Sequence, residues 1–190
     1  MIRKIPVIAT VIVLIAVAIM IRLGFWQIGR LHEKQAMLAR YEAAQGNSAV
    51  KPWPNGTADA LPQSYSRVTT ECLSVAKIAA QSGRNADQQT GWAQVADCTL
   101  PRGHQARIVL GWGSRPAAAE WAGGAVQGTY VVKGEGEAII VADPPLAGLQ
   151  PNARPDPREV PNNHLAYAVQ WFLFAGVALV IYVLALRKRG

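Results

Sequence analysis

Two long runs of uncharged, mostly apolar residues limit what this 190-residue chain can become: Ile5 to Ile21, 17 residues, and Leu165 to Leu186, 22 residues. At about 1.5 Å of helical rise per residue the second run reaches about 33 Å, enough to cross the hydrocarbon layer of a bilayer. The remaining length supports one domain of ordinary size, whose core has no room for two such runs. The expectation is a membrane protein rather than a soluble globular one.

A net charge of +7 invites a nucleic-acid reading until the charges are placed. All 12 acidic residues lie between Glu33 and Glu159, and the 13 basic residues from Arg30 to Arg158 leave that region at about +1. The other six, Arg3, Lys4, Arg22, Arg187, Lys188 and Arg189, lie on or beside the apolar runs. The basicity therefore marks membrane flanks and predicts no nucleic-acid partner. Lys and Arg beside a span are retained in the cytoplasm. Arg3-Lys4 and Arg187-Lys188-Arg189 thus predict two cytoplasmic termini and a middle region in the periplasm or its mitochondrial equivalent, with Arg22, Arg30 and Lys34 against the rule. A cleaved signal peptide is the alternative for the first run. Ile19-Met-Ile-Arg22 offers no small-x-small cleavage site, so a retained anchor is expected. The lack of an Arg- and Ser-rich leader favours a bacterial inner membrane over a mitochondrion.

The chain divides into a first span (1–26), a polar helical extension (27–45), a β domain with Pro-rich ends (46–161) and a second span with a basic tail (162–190). Gly46-Asn-Ser48 stops the extension, and Lys51-Pro-Trp-Pro-Asn-Gly-Thr57 connects it to five β-rich segments. These are Ser66–Ala80, Gly91–Leu100, Ala106–Gly113, Val126–Lys133 and Glu137–Ala142. Asp143–Pro161, with six of the 12 prolines, returns to the membrane as extended chain. The predicted fold is two transmembrane helices forming an antiparallel hairpin around a small antiparallel all-β extramembrane domain, an open sheet or small barrel, α+β overall.

Alternation puts Val68, Thr70, Cys72, Ser74, Ala76 and Ile78 on one face of the first strand, and Trp92, Ala96, Cys98 and Leu100 on one face of the second. A hairpin symmetric about Asn85 sets Cys72 opposite Cys98 and Ile78 opposite Trp92. In an oxidising compartment this pair suggests a disulfide; two buried free thiols are the alternative. Neither a Cys-x-x-Cys nor a Cys-x-x-x-Cys spacing is present, which argues against a cysteine metal pair.

The chemistry concentrates where the runs end. Leu23-Gly-Phe-Trp-Gln-Ile-Gly-Arg30 closes the first, and Asn162-Asn-His-Leu-Ala-Tyr-Ala-Val-Gln-Trp-Phe172 opens the second. Asn162 or Asn163 suits an N-cap and puts His164 in the first turn. His164, Tyr167 or Ala168, and Trp171 recur at helical spacing, with Gln170 further in; Gly24 permits close approach, and Gln27 and Arg30 lie a turn apart. An imidazole among aromatics with Arg22 and Arg30 in reach would suit a haem: axial His164 on the iron, ring stacking, propionate pairing. Interfacial Trp and Tyr are also ordinary belt residues. His32 and His104 read as solvated.

The sequence here resembles the surfeit-locus-one family of cytochrome c oxidase assembly factors. The resemblance rests on Leu23-Gly-x-Trp-Gln-x-x-Arg30-x-x-x-Lys34 and Asn163-His-Leu-x-Tyr-Ala-x-Gln-Trp-Phe172, with Gly91-Trp-Ala-Gln-Val95 similar to the family's Gly-Tyr-x-Val strand. Val109-Leu-Gly-Trp-Gly113 departs from the family's Val-Asn-Arg-Gly-Trp, with Leu110-Gly111 in place of Asn-Arg or the pair lost by a shift. The resemblance implies a non-enzymatic factor that holds or presents haem a while the oxidase catalytic subunit matures. It also implies oxidase subunits or assembly intermediates as partners, and His164 as candidate haem ligand. Tyr167, Trp171, Trp26, Gln27 and Arg30 complete the candidate cofactor site. The alternative is a haem-independent scaffold that binds oxidase subunits or a respiratory complex. An enzyme finds little support: no Ser-His-Asp set or phosphate loop is present, and Gly134-Glu-Gly-Glu137 reads as a solvated turn.

Overall fold

A computed structural model of the chain describes residues 6–54, 61–134 and 136–188. Arg3, Lys4, Glu135, Arg189 and the 55–57 part of the connector lie outside the described residues. The chain forms two compact units, Met1–Leu38 with Val160–Gly190, and Ala39–Glu159.

In the first unit, α1 (Val7–Gly46) runs through the apolar segment and its polar extension without a break, and α2 (His164–Lys188) holds the second apolar segment. Both are long and apolar enough to cross a membrane. A core helix of a soluble protein would be covered by other elements. Here only Val17 and Gly24 of α1 and Ala168 and Ala175 of α2 are buried, while Ile8, Ile12, Leu173 and Val180 lie open. Apolar surface on that scale fits helices that cross a membrane.

The second unit is built on one sheet of seven strands: β1 (Lys51–Pro52), β2 (Arg67–Cys72), β3 (Ser74–Arg84), β4 (Thr90–Thr99), β5 (Gln105–Gly113), β6 (Gly124–Lys133) and β7 (Glu137–Ala142). Their order is β1-β2-β6-β7-β5-β4-β3. The expected all-antiparallel sheet is corrected by this topology: β5 pairs with β7 and β1 with β2 in parallel, so the sheet is mixed. The β6–β7 hairpin inserts between β2 and β5, and β6 runs antiparallel to both its neighbours, which sends β7 along β5. Alternation reports which face a residue takes, not which strand lies beside it.

The predicted first strand is two strands. Leu73 breaks it, 57% exposed, and its N–H donates to the Thr99 carbonyl at 2.9 Å. Cys72 therefore ends β2, opposite Gly124 of β6, and the β3–β4 hairpin is centred on Asp87, pairing Ser82 with Trp92 and Ile78 with Ala96. Asn85 sets that turn: its Oδ1 accepts the Asp87 and Gln89 amides at 3.1 and 2.8 Å, and Gln88 takes a left-handed φ of 63°. The expected pairings of Cys72 with Cys98 across a hairpin, and of Ile78 with Trp92, are thus corrected. Cys72 and Cys98 are nevertheless disulfide-bonded, Cα atoms 5.6 Å apart, as a link from β2 to β4.

Val68, Ala96, Leu100, Ile108, Leu110, Tyr130 and Ile140 form a fully buried core that encloses the disulfide. Trp53, delivered by the Pro-rich connector, packs edge-on to Tyr130 with centroids 5.3 Å apart. Glycines allow the closest approaches: a Cβ at Gly128 would meet the Val141 carbonyl, one at Gly91 the Trp112 indole, and one at Gly111 the Leu149 side chain. A long side chain at 111, as the family's Asn-Arg pattern would supply, has no room here. His104 is not solvated as expected; it is half-buried, edge-on to Trp53.

Two outcomes are expected in this unit. Replacing Cys72 and Cys98 by Ser should lower stability to denaturant by about 3 kcal/mol, since the bridge spans 26 residues. Burial, with Tyr41 adding, raises the phenol pKa of Tyr65 and Tyr130 above 10.0. The neutral phenols therefore contribute stability that is complete below pH 10.0 and is lost as pH rises through the folded values. Among the described residues the Tyr130 hydroxyl has no hydrogen-bond partner, so Tyr130→Phe should stay within about 1 kcal/mol of wild type at neutral pH and lose less above pH 10.0.

Candidate functional site

The helical unit carries the predicted site residues. Asn163 precedes α2, and its carbonyl accepts the Tyr167 amide at 3.2 Å, which leaves His164 as the first helical residue. Across from it, His164 Nδ1 and Gln27 Oε1 are 2.7 Å apart. An amide oxygen only accepts, so in this arrangement Nδ1 is the donor, and a neutral imidazole so held would turn the lone pair of Nε2 outward.

The approach of the two helices makes this bond possible. Thr10, Val17 and Gly24 recur every seven residues on α1, as do Ala168, Ala175 and Tyr182 on α2. Val17, Gly24, Ala168 and Ala175 are the buried members, and Thr10 hydrogen-bonds Tyr182. Such a spacing keeps one stripe of each helix on its partner, and small residues let the backbones come close. A Cβ on Gly24 would stand 2.7 Å from the Phe172 ring, and Phe25 packs edge-on to that ring at 5.4 Å. Gln27 lies one turn beyond Gly24 and so meets His164.

The other predicted residues do not all join them. Ala168, not Tyr167, occupies the seam; Tyr167 is half exposed on its flank. Trp171 is half-buried and packs edge-on to Phe174 at 6.2 Å. Trp26, two residues past Gly24, lies about 200° round the helix from it and is exposed. Arg30 forms an exposed ion pair with Glu33, so its charge is answered within α1. Thr10 and Tyr182 were missed in sequence, although the seven-residue spacing carried the signal. Among the described residues no cluster of three His, Cys, Asp or Glu could hold a metal ion.

The fold and site define a small sheet domain combined with two apolar helices that present one oriented imidazole. The SURF1 family model matches residues 14–137 and 74–176, and the chain belongs to the SURF1 family. That family is associated with cytochrome c oxidase assembly and is a family of assembly factors, not a known enzyme. No curated protein matches this chain.

If Gln27 sets the tautomer, 15N spectra of wild type should place the His164 proton on Nδ1, and Gln27→Met should move His164 toward the Nε2-protonated form. An unchanged tautomer in the variant would remove Gln27 from the site.

Proposed function

We propose that this chain is a membrane-anchored assembly factor that holds haem a through His164 while the catalytic subunit of the oxidase matures. The observation that carries this reading is the Gln27–His164 hydrogen bond, which leaves Nε2 as a free lone pair on a half-exposed imidazole. Metal-binding histidines are ordinarily oriented by such a bond from the other ring nitrogen. Bound haem would supply the iron for that lone pair, and Tyr167 and Trp171 would offer the flanking aromatic surface.

The helices are read as an antiparallel transmembrane hairpin. The contacts Thr10–Tyr182, Phe25–Phe172 and Gln27–His164 support this, because they climb one helix while descending the other. Both termini are placed in the cytoplasm of a bacterial cell, with Arg187 and Lys188 in the last turn of α2 as cytoplasmic anchors. The sheet unit is placed in the periplasm, where its disulfide persists. The partners are oxidase subunits or assembly intermediates. A second reading, a scaffold that clamps those subunits without haem, is favoured by Trp26, which is exposed and lies off the helix seam.

Protein purified from cells that make haem a should carry a haem spectrum. His164→Ala should abolish it, and Gln27→Met should weaken haem binding by about 10- to 100-fold. Co-purification of oxidase subunits with no haem spectrum would select the scaffold, and a spectrum unchanged in His164→Ala would exclude His164 as ligand.

A further inference from the structure

The sheet ends on one long strand with a single neighbour: β3 pairs only with β4, while β1 at the other end has two residues. Open edges are templates for another strand, and proteins ordinarily blunt them with bulges, charges or covering chain. On β3 those devices stand at the two ends. A bulge at Ala76 and the charge of Lys77 occupy one end. At the other, the segment 151–153 covers the strand, with the Ala153 amide donating to the Arg84 carbonyl at 2.9 Å and Asn85 bridging Asn152. Between them Ile78 to Gly83 carries no charge and no proline, and among the described residues no backbone partner lies on its outer side.

Charge identifies the occupant. Three neighbouring strands carry one rung of alternating sign: Arg107 on β5, Asp97 on β4 and Lys77 on β3. Arg107 reaches Glu137 at 2.9 Å and Asp97 at 3.7 Å, and Asp97 stands directly across from Lys77. The rung stops on a cation at the open edge, so the next strand is complementary when it sets a carboxylate there. A second copy of β3 is a poor candidate, because its charges are Lys77 and Arg84. Antiparallel self-pairing of the whole window would bring those two cations together.

We propose that the β3 edge from Lys77 to Gly83 takes an extended segment of another protein, added as an eighth strand, with an acidic residue opposite Lys77. This surface is independent of the His164 site and of any haem reading. Main-chain hydrogen bonds would supply affinity, and Lys77 the register.

The test uses the full-length protein in nanodiscs and a labelled, end-blocked peptide, Asp-Val-Thr-Val-Thr-Val-Asp, whose two ends serve either strand direction. It should bind at least tenfold tighter than the same peptide with Lys at both ends, and Lys77→Glu should reverse that order. N-methylation of one alternate set of the peptide amides should cost at least tenfold and of the other set much less; this arm leaves the protein unaltered. Equal binding of the two peptides, an order unaffected by Lys77→Glu, or equal sensitivity to both methylation sets would overturn the proposal. So would cross-linking that joins β3 of one copy to β3 of another.

Discussion

The contact on which the helical unit depends is the approach of α1 to α2 at Gly24, where the Phe172 ring occupies the space a side chain would need. Water cannot drive apolar helices together inside hydrocarbon, so close packing and a few polar contacts must do so. The seam uses both. Val17, Ala168 and Ala175 let the helices pack, and the Thr10–Tyr182 and Gln27–His164 bonds lie toward its two ends. An imidazole at the start of a helix would otherwise turn freely. Here a neighbouring amide holds one ring nitrogen, which orients the ring.

The sheet unit meets a different constraint. Its β2 and β3 follow each other in the chain yet sit at separate places in the strand order, so Leu73 must carry the backbone from one to the other. The Cys72–Cys98 bridge ties β2 to β4 at that corner, within the core around Ile108 and Tyr130. Gly91, Gly111 and Gly128 then admit the Trp112, Leu149 and Val141 groups that complete the packing. Among the described residues the same topology leaves β3 with one free edge and aligns Arg107, Asp97 and Lys77 across the sheet toward it. A core decision thereby becomes a surface property.

The elements themselves were largely legible in the sequence. Four of the five β-rich segments correspond to single strands, and both apolar runs to helices, because period and composition are local signals. The break at Leu73 was not, since the alternation of Val68, Thr70 and Cys72 continues smoothly into Ser74. The disulfide partners were found through a hairpin symmetric about Asn85, whereas the true turn is centred on Asp87 and Cys72 lies outside that hairpin. With two cysteines on apolar faces, the pairing survives an error in the register.

At the site, the sequence alone placed Gly24, Gln27 and His164 at the ends of two apolar runs, because charge, hydropathy and motif spacing are properties of the chain as written. It also contained two runs long and apolar enough to cross a bilayer. Only the tertiary structure decided that Gln27 meets His164 while Arg30 pairs with Glu33, and that β7 runs parallel to β5. Those outcomes depend on which surfaces meet, for Gln27 and His164 across 137 positions of chain, and that is set by packing that no local pattern records.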